Sequence, residues 1–114
     1  MNKSQVIKEA KKVLKIEIDS AKTLSSSFNQ SFYNVVKTIF DTQGRVVVTG
    51  IGKSGHIANK ISATFSSTGT PAQFVHPTEA SHGDLGSITR KDCILAISNS
   101  GQSNELSDLI NYVT

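Results

Sequence analysis

The stretch from Gly44 to His56, Gly-Arg-Val-Val-Val-Thr-Gly-Ile-Gly-Lys-Ser-Gly-His, constrains the fold more than any other part of the chain. Val46-Val47-Val48 is an apolar β-branched run of the kind that forms a strand buried on both faces. It opens directly into a glycine-rich turn and then into helical periodicity. A strand, a glycine loop and a helix in that order make a phosphate cradle. Gly50, Gly52 and Gly55 are free to take backbone angles closed to other residues, so the main chain can turn tightly and aim N–H groups at an anion beside a helix N-terminus. The plainer use of the same glycines is the tight turn alone.

Upstream, Val6, Ala10, Val13, Leu14, Ala21 and Leu24 recur at helical spacing. After Ser25-Ser26-Ser27 a second set follows: Phe28, Phe32, Val35, Val36, Ile39 and Phe40. This predicts two helices with a break at the serines, the second closing between Asp41 and Gly44, with Gly44 in the left-handed position that ends helices. Residues 1–42 are therefore expected to be a helical arm that serves self-association or packs back on its own domain, and residues 43–114 a sheet domain.

Downstream of the glycine loop, Ile57, Ala58, Ile61, Ser62, Ala63 and Phe65 predict a helix ending between Ser66 and Gly69. Ala72 to Val75 reads as a short strand. His76 to Thr89 has no steady period and holds Pro77, Gly83 and Gly86, which marks a long loop of functional character with room for a helical turn. Cys93 to Ile97 reads as a third buried strand, and Ser103 to Val113 as a last helix. The alternation of strands and helices predicts a parallel sheet with right-handed crossovers. Three strands are few for such a sheet, so the third is expected to leave an edge that a further segment or another chain covers.

At 114 residues, 37% hydrophobic and 18% charged, the chain has room for one small globular domain and is neither disordered nor membrane-like in composition. Its net charge of +3 is modest. Much of the basic excess lies in Lys3, Lys8, Lys11, Lys12 and Lys15, interleaved with Glu9, Glu17 and Asp19, which describes a solvated helix face rather than a nucleic-acid patch. No run approaches the roughly eighteen apolar residues of a membrane span. Met1-Asn2-Lys3-Ser4 is not followed by the apolar core of a signal peptide, and the expectation is a cytoplasmic protein without membrane or nucleic-acid partners. Cys93 is the only cysteine, which excludes an internal disulfide and a multi-cysteine metal site and reads as a small core residue.

Gly50-Ile51-Gly52-Lys53-Ser54-Gly55 satisfies the G-x-G-x-x-G spacing, but a dinucleotide fold also needs an acidic residue at the end of the second strand, where Val75-His76 stands. A Walker A loop needs a glycine where this chain has Val47, which argues against ATP hydrolysis. A second group, Ser98-Asn99-Ser100-Gly101-Gln102-Ser103, leaves a strand and enters a helix, bringing hydroxyls, an amide and helix N–H groups together. If the first and third strands are neighbours, both loops meet at the topological switch point and suit one phosphate monoester; the alternative is that these side chains only cap the helix. The third group is His76-Pro77-Thr78-Glu79-Ala80-Ser81-His82-Gly83-Asp84. It fits contacts to a sugar, a metal or a solvated loop, and Pro77 argues against a regular helix aligning a histidine pair. Glu105 falls on the first turn of the last helix, where a carboxylate is favoured by the dipole alone, and Lys53 suits a phosphate counter-ion.

Several blocks in the right order carry a family resemblance. They are Gly50-Ile51-Gly52-Lys53-Ser54-Gly55-His56, Thr64-Phe65-Ser66-Ser67-Thr68-Gly69-Thr70-Pro71, Phe74-Val75-His76-Pro77 with Glu79-Ala80, His82-Gly83-Asp84-Leu85-Gly86, and Ala96-Ile97-Ser98-Asn99-Ser100-Gly101 with Glu105. The chain resembles the sugar isomerase (SIS) domain family and, within it, the arabinose 5-phosphate isomerases. The resemblance implies a three-layer α-β-α parallel sheet of SIS type, flavodoxin-like and incomplete in this chain. It implies aldose–ketose isomerisation between D-ribulose 5-phosphate and D-arabinose 5-phosphate through an enediol, on the route to the octulosonate sugar of lipopolysaccharide or capsule.

Position by position, the resemblance implies catalytic roles for Lys53 and Glu105 and substrate contacts at Gly69, Thr70, His76 and His82. Ser54, Ser98, Ser100 and Ser103 would hold the phosphate, with Asn99 beside them. No cofactor is implied as required; His76 matches a zinc-holding position whose metal is inhibitory or adventitious. A homo-oligomer, a tetramer in the family, is the implied assembly. A further catalytic glutamate and histidine, the remaining strands and a pair of CBS modules have no counterpart in these residues. The competing reading is a non-catalytic phosphosugar-binding SIS module; the histidines and carboxylates beside the loop favour the enzyme, since a sensor needs only the loop.

Overall fold

The structure is a computed structural model that describes residues 1–81 and 83–114. These form two units, Met1–Lys37 and Thr38–Thr114.

In the first unit, helix α1 (Lys3–Thr23) starts from a capping box in which the Asn2 side chain accepts from the Gln5 N–H at 2.9 Å and the Gln5 side chain accepts from the Asn2 N–H at 3.2 Å. Lys15 and Asp19, one turn apart, pair at 2.6 Å. The serine break is a 3₁₀ turn, Leu24–Ser27, after which Asn29 accepts from the Ser31 and Phe32 N–H groups and starts α2 (Gln30–Phe40), whose last residues from Thr38 on belong to the second unit. The Phe28 and Phe32 rings stack 4.8 Å apart across that start. Neither helix buries a residue.

The second unit is built on β1 (Val46–Gly50), the middle strand of a parallel sheet in the order β2-β1-β3, with β2 at Ala72–Phe74 and β3 at Cys93–Ile97. The register sets Val48 opposite both Phe74 and Leu95, and Gly50 opposite Ile97. All five residues of β1 are buried because the strand is covered on both faces. Val46 and Val48 pack with Ala58 of α3 (Lys53–Ser67), with Ile61 and Phe65 beside them. Val47, pointing the other way, packs with Val75, Ala80 and Leu109, the last two from α4 (Pro77–Ser81) and α5 (Asn104–Val113). This is a three-layer α/β arrangement, incomplete as expected.

Several expectations are corrected in detail. β3 is half-buried, with Ala96 exposed, rather than buried, because it is an edge strand hydrogen-bonded only to β1 among the described residues. Cys93 is accordingly half-buried at the margin of the Val46–Val48 cluster. Gly44 is not in the left-handed region. It is needed for close approach: its N–H donates to the Lys91 carbonyl at 2.8 Å, and a Cβ there would collide with the Asp92 carboxylate and the Lys91 carbonyl. Asp92 ties this corner together, accepting from the Arg45 N–H at 2.7 Å and the Thr89 N–H at 2.8 Å. Burial pushes its carboxyl pKa up, but the hydrogen bonds from the Arg45 and Thr89 backbone outweigh that and leave it below the ordinary value. The helical turn for which this loop has room is the short α4, opened by Pro77 as a proline in the first turn does, with His76 outside it.

Candidate functional site

β1 ends at Gly50, and after Ile51 and Gly52 the chain is already helical at Lys53. Of the three loop glycines only Gly52 uses glycine's conformational freedom, at φ +59° and ψ −126°. Gly50 and Gly55 are required by proximity instead. A Cβ on Gly55 would stand 2.6 Å from the Gly50 carbonyl oxygen, and one on Gly50 would stand 2.8 Å from the Ser54 backbone. The first turn of α3 thus presses directly on the end of the buried strand.

The two helix starts at this end of the sheet differ in a way that matters. α3 has Gly52 as its N-cap and receives no side-chain capping bond. Its chain bonds begin with the Gly55 N–H to Ile51 at 3.3 Å and the His56 N–H to Gly52 at 3.2 Å, leaving the Lys53 and Ser54 N–H groups for an outside acceptor. α5 is capped internally: the Ser103 hydroxyl oxygen accepts from the Leu106 N–H at 3.4 Å, and its proton goes to the Glu105 carboxylate at 3.1 Å. In the loop between β3 and α5, the Ser98 hydroxyl accepts from the Gly101 N–H at 2.8 Å and the Ser100 hydroxyl from the Gln102 N–H at 3.2 Å. Each of those hydroxyls keeps its own proton to donate.

Because β1 and β3 are neighbours, the two loops converge on the switch point of the sheet. Between them lies a cavity of about 380 Å³ lined by Ile51, Ser54, Ile97, Ser98, Asn99, Ser100, Ser103, Glu105 and Leu106. Six of the residues expected in the site are therefore brought together: Ser54, Ser98, Asn99, Ser100, Ser103 and Glu105. Lys53 is the first residue of α3, exposed, and lines neither this cavity nor the next.

A second cavity, of about 290 Å³, lies on the β2 side of the same helix start and is lined by Gly52, Gly55, His56, Asn59, Phe74 and His76. His76 receives the Thr78 N–H on Nδ1 at 3.2 Å, so the neutral ring carries its proton on Nε2. The Phe74 ring meets the His76 ring edge-on, 6.3 Å between centroids. The strand below is held by the buried Thr49 hydroxyl, which donates to the Val75 carbonyl. His56 and Asn59 carried no assignment in the sequence. The available signal was the spacing of Gly52, Gly55, His56 and Asn59, one helical stripe, which a reader of sequence takes for a solvated face.

Gly69 and Thr70 are not brought to this end. They lie where α3 ends and β2 begins, Gly69 at φ +96° and the Thr70 N–H bonded to Phe65 at 2.8 Å, beside Pro71, whose carbonyl accepts from the first residue of β1. The length of β1 separates them from the glycine loop, roughly 16 Å at 3.3 Å per residue. His82 lies outside the described residues. The described donors do not make a zinc site: no three His, Cys, Asp or Glu side chains stand together among the described residues. Coordination through Nε2 of His76 would also require Nδ1 to carry the proton and give up the Thr78 bond. A larger groove of about 620 Å³, lined by residues including Ile88, Asp92, Tyr112 and Thr114, sits at the start of β3 and holds none of the expected site residues.

The SIS domain profile matches residues 39–114. Arabinose 5-phosphate isomerase KdsD of Yersinia pestis is 59% identical over 100 residues, which cover 88% of this chain and 30% of the relative. The enzyme of that name from Escherichia coli K12 is 53% identical over 100 residues, with the same shares. A solved structure of an E. coli CFT073 protein in complex with arabinose 5-phosphate superposes with a TM-score of 0.89 at 42% identity, covering 97% of this chain and 59% of that one. The chain thus spans about 30% of the length of the curated relatives it matches. Among the described residues no helix is long and apolar enough to cross a membrane. The fold, the switch-point cavity and the profile agree, and the chain belongs to the SIS domain family.

Proposed function

We propose that this chain is the N-terminal part of an aldose–ketose isomerase that interconverts D-ribulose 5-phosphate and D-arabinose 5-phosphate, supplying octulosonate for lipopolysaccharide or capsule. Residues 1–42 act as a helical arm and residues 43–114 as the first half of the phosphosugar-binding domain. One observation carries the reading: the uncapped N-terminus of α3 faces the same cavity as the Ser98 and Ser100 hydroxyls, whose oxygens already accept backbone N–H bonds and whose protons remain to be given. That is a set of donors without a matching acceptor, which is what a phosphate dianion supplies. The names of the relatives support the particular sugar.

In this reading the phosphate takes the Lys53 and Ser54 N–H groups and the hydroxyl protons of Ser54, Ser98 and Ser100, with Asn99 beside them. Ser103 acts through Glu105, holding one carboxylate oxygen and leaving the other to work. Glu105 removes the proton from the carbon next to the carbonyl, an enediolate forms, and the proton returns to the neighbouring carbon. The Lys53 ammonium stabilises the developing oxyanion, an effect typically worth about 10²–10³ in rate. Phosphate binding away from the reacting carbons supplies orientation. The same reading has the enzyme cytoplasmic, without a required cofactor, and assembled as a homotetramer. Self-association is supported by the exposed apolar residues of the arm, among them Val13, Leu14, Phe28 and Phe32.

The test is proton NMR of the full chain with D-arabinose 5-phosphate in deuterated water. Loss of the C2 proton signal together with ribulose 5-phosphate is expected, and Glu105→Gln should keep the ligand while losing both. Undiminished turnover in that variant removes Glu105 from the mechanism. Binding without exchange in the parent chain leaves two readings, a phosphosugar-binding module or an isomerase whose further catalytic groups lie outside these residues, and the same assay on a longer chain decides between them.

A further inference from the structure

Helix α1 carries a seam whose charges specify what can lie against it. We infer that α1 pairs with α1 of a second copy of this chain, antiparallel, with Lys3 of each copy set against Glu17 of the other and the two-fold axis beside Ala10. The inference rests on the self-association proposed above and gives it an orientation and a register. It is independent of which sugar phosphate the chain binds.

The need for a partner comes from the helix itself. It runs 21 residues, Lys3–Thr23, and buries none of them. A helix in water draws most of its stability from packing an apolar face, and the β-branched Val6, Ile7, Val13, Ile16 and Ile18 lower the propensity that could stand in for packing. The face is present. Positions 3, 7, 10, 14, 17 and 21 follow the alternating spacing of four and three that keeps one seam toward a neighbouring helix, and Val6 and Val13 widen it. Ile7, Leu14 and both valines are exposed. The Lys12–Glu9 and Lys15–Asp19 ion pairs lie on the other side of the helix.

Two positions of the seam are charged, Lys3 and Glu17, and neither has an ion-pair partner among the described residues. They stand about 21 Å apart along the helix and cannot meet within one copy. Burying the seam against an apolar surface would leave both charges unpaired, which is strongly unfavourable. Parallel pairing in register would set Lys3 on Lys3 and Glu17 on Glu17. Antiparallel pairing sets opposite charges together at both ends of the seam, because the separation is the same in each copy. Residue 10 is midway between them, so the two-fold axis falls beside Ala10. Its methyl group lets the helices approach closely while Ile7 and Leu14 pack on either side. An ion pair in an otherwise apolar seam fixes orientation and register at some cost in stability.

The test combines sedimentation of the full chain with cross-linking. Lys3→Glu and Glu17→Lys should each weaken self-association about tenfold, and the double variant should return to within about threefold of the parent. Both positions are exposed, so the exchanges leave the fold of each copy in place. In a Cys93→Ser background, a short bismaleimide should link Ala10→Cys to its counterpart in the second copy. Ala21→Cys, on the same seam but about 33 Å from its counterpart in the antiparallel pair, should not be linked. Single variants that associate like the parent, or a double variant no better than the singles, overturn the Lys3–Glu17 register. Linking at both positions means parallel arms, and linking at neither in a chain that associates means a different contact; each overturns the inference and leaves self-association standing. A chain that sediments as a monomer at every concentration overturns both, and the phosphosugar reading is untouched by any of these results.

Discussion

Replacing Gly55 by alanine sets two opposing effects against each other, and their sizes decide the sign. Gly55 lies inside α3, where alanine is favoured over glycine by about 1 kcal/mol through backbone entropy and helix propensity. A reading from propensity alone therefore expects stabilisation. The added Cβ, however, would stand 2.6 Å from the Gly50 carbonyl oxygen, about 0.8 Å inside the 3.4 Å at which ordinary contact begins. The atom it meets is backbone, at the end of a strand buried along its whole length and paired on both sides, so the neighbour has little room to yield. Overpacking of this kind costs about 1–3 kcal/mol, and a rigid backbone partner places it near the top of that range. The net expectation is destabilisation of about 2 kcal/mol.

The assay is urea unfolding followed by far-UV circular dichroism, since the chain has no tryptophan, at one fixed protein concentration so that self-association does not shift the midpoint. With a slope of about 1–2 kcal/mol/M, the midpoint should fall by roughly 1–2 M. Gly86→Ala is the matched control, because a Cβ there meets nothing within 4 Å and Gly86 is not at positive φ; it should stay within about 0.5 kcal/mol of the parent. On the proposed function, phosphate affinity should fall with stability in Gly55→Ala, because backing α3 off β1 moves the N–H groups assigned to the anion. A Gly55→Ala midpoint equal to or above the parent's, at unchanged slope, would refute the close approach of α3 to β1.

Two further predictions follow the same logic at other points. Thr49→Val removes the donor to the buried Val75 carbonyl without changing side-chain shape, and should cost about 1–3 kcal/mol in urea unfolding and shift the His76 ring signals; no loss of stability would show that carbonyl to be satisfied otherwise. Asp92 has a lowered pKa in the folded chain, so its contribution is present above the unfolded value near 3.9 and is lost as pH falls through the lower folded value. Unfolding midpoints of the parent and Asp92→Asn should therefore differ at pH 7 and converge as pH falls through the lowered folded value, and curves that stay parallel would remove Asp92 from the acid transition.

The sequence made β1 legible because three adjacent β-branched residues leave few alternatives, and the order of elements followed from it. What it hid depended on strand order or on absent atoms. The open edge of the third strand was expected, but the apolar run Ile94-Leu95 still read as buried, and the order β2-β1-β3 leaves β3 half-buried with Ala96 exposed. A glycine kept for positive φ and one kept because a carbonyl lies against it read alike, which is why conformational freedom is the wrong reason for Gly44, Gly50 and Gly55. The cluster from Ser98 to Glu105 was legible because its residues are consecutive. The His56–Asn59–His76 cavity was not, because it joins a helix stripe to a strand end, and a polar pair on a helix carries no mark of what it faces.

The two helix starts differ in what capping accounts for. Capping accounts for the bonds Ser103 makes: its oxygen serves the Leu106 N–H and its proton serves Glu105. It does not explain Ser98 and Ser100, which accept bonds within their own loop, line the cavity and keep their hydroxyl protons to donate. Nor does it touch α3, whose N-cap is a glycine at φ +59° in a position where serine, threonine, aspartate or asparagine would cap at a gain of about 1 kcal/mol. A capping side chain there would occupy the N–H groups that an anion needs, and any L side chain would be strained at that φ. The glycine at position 52 therefore gives up helix stability at the one helix start that opens between both cavities, while the other start, which lacks such a position, is capped in the ordinary way.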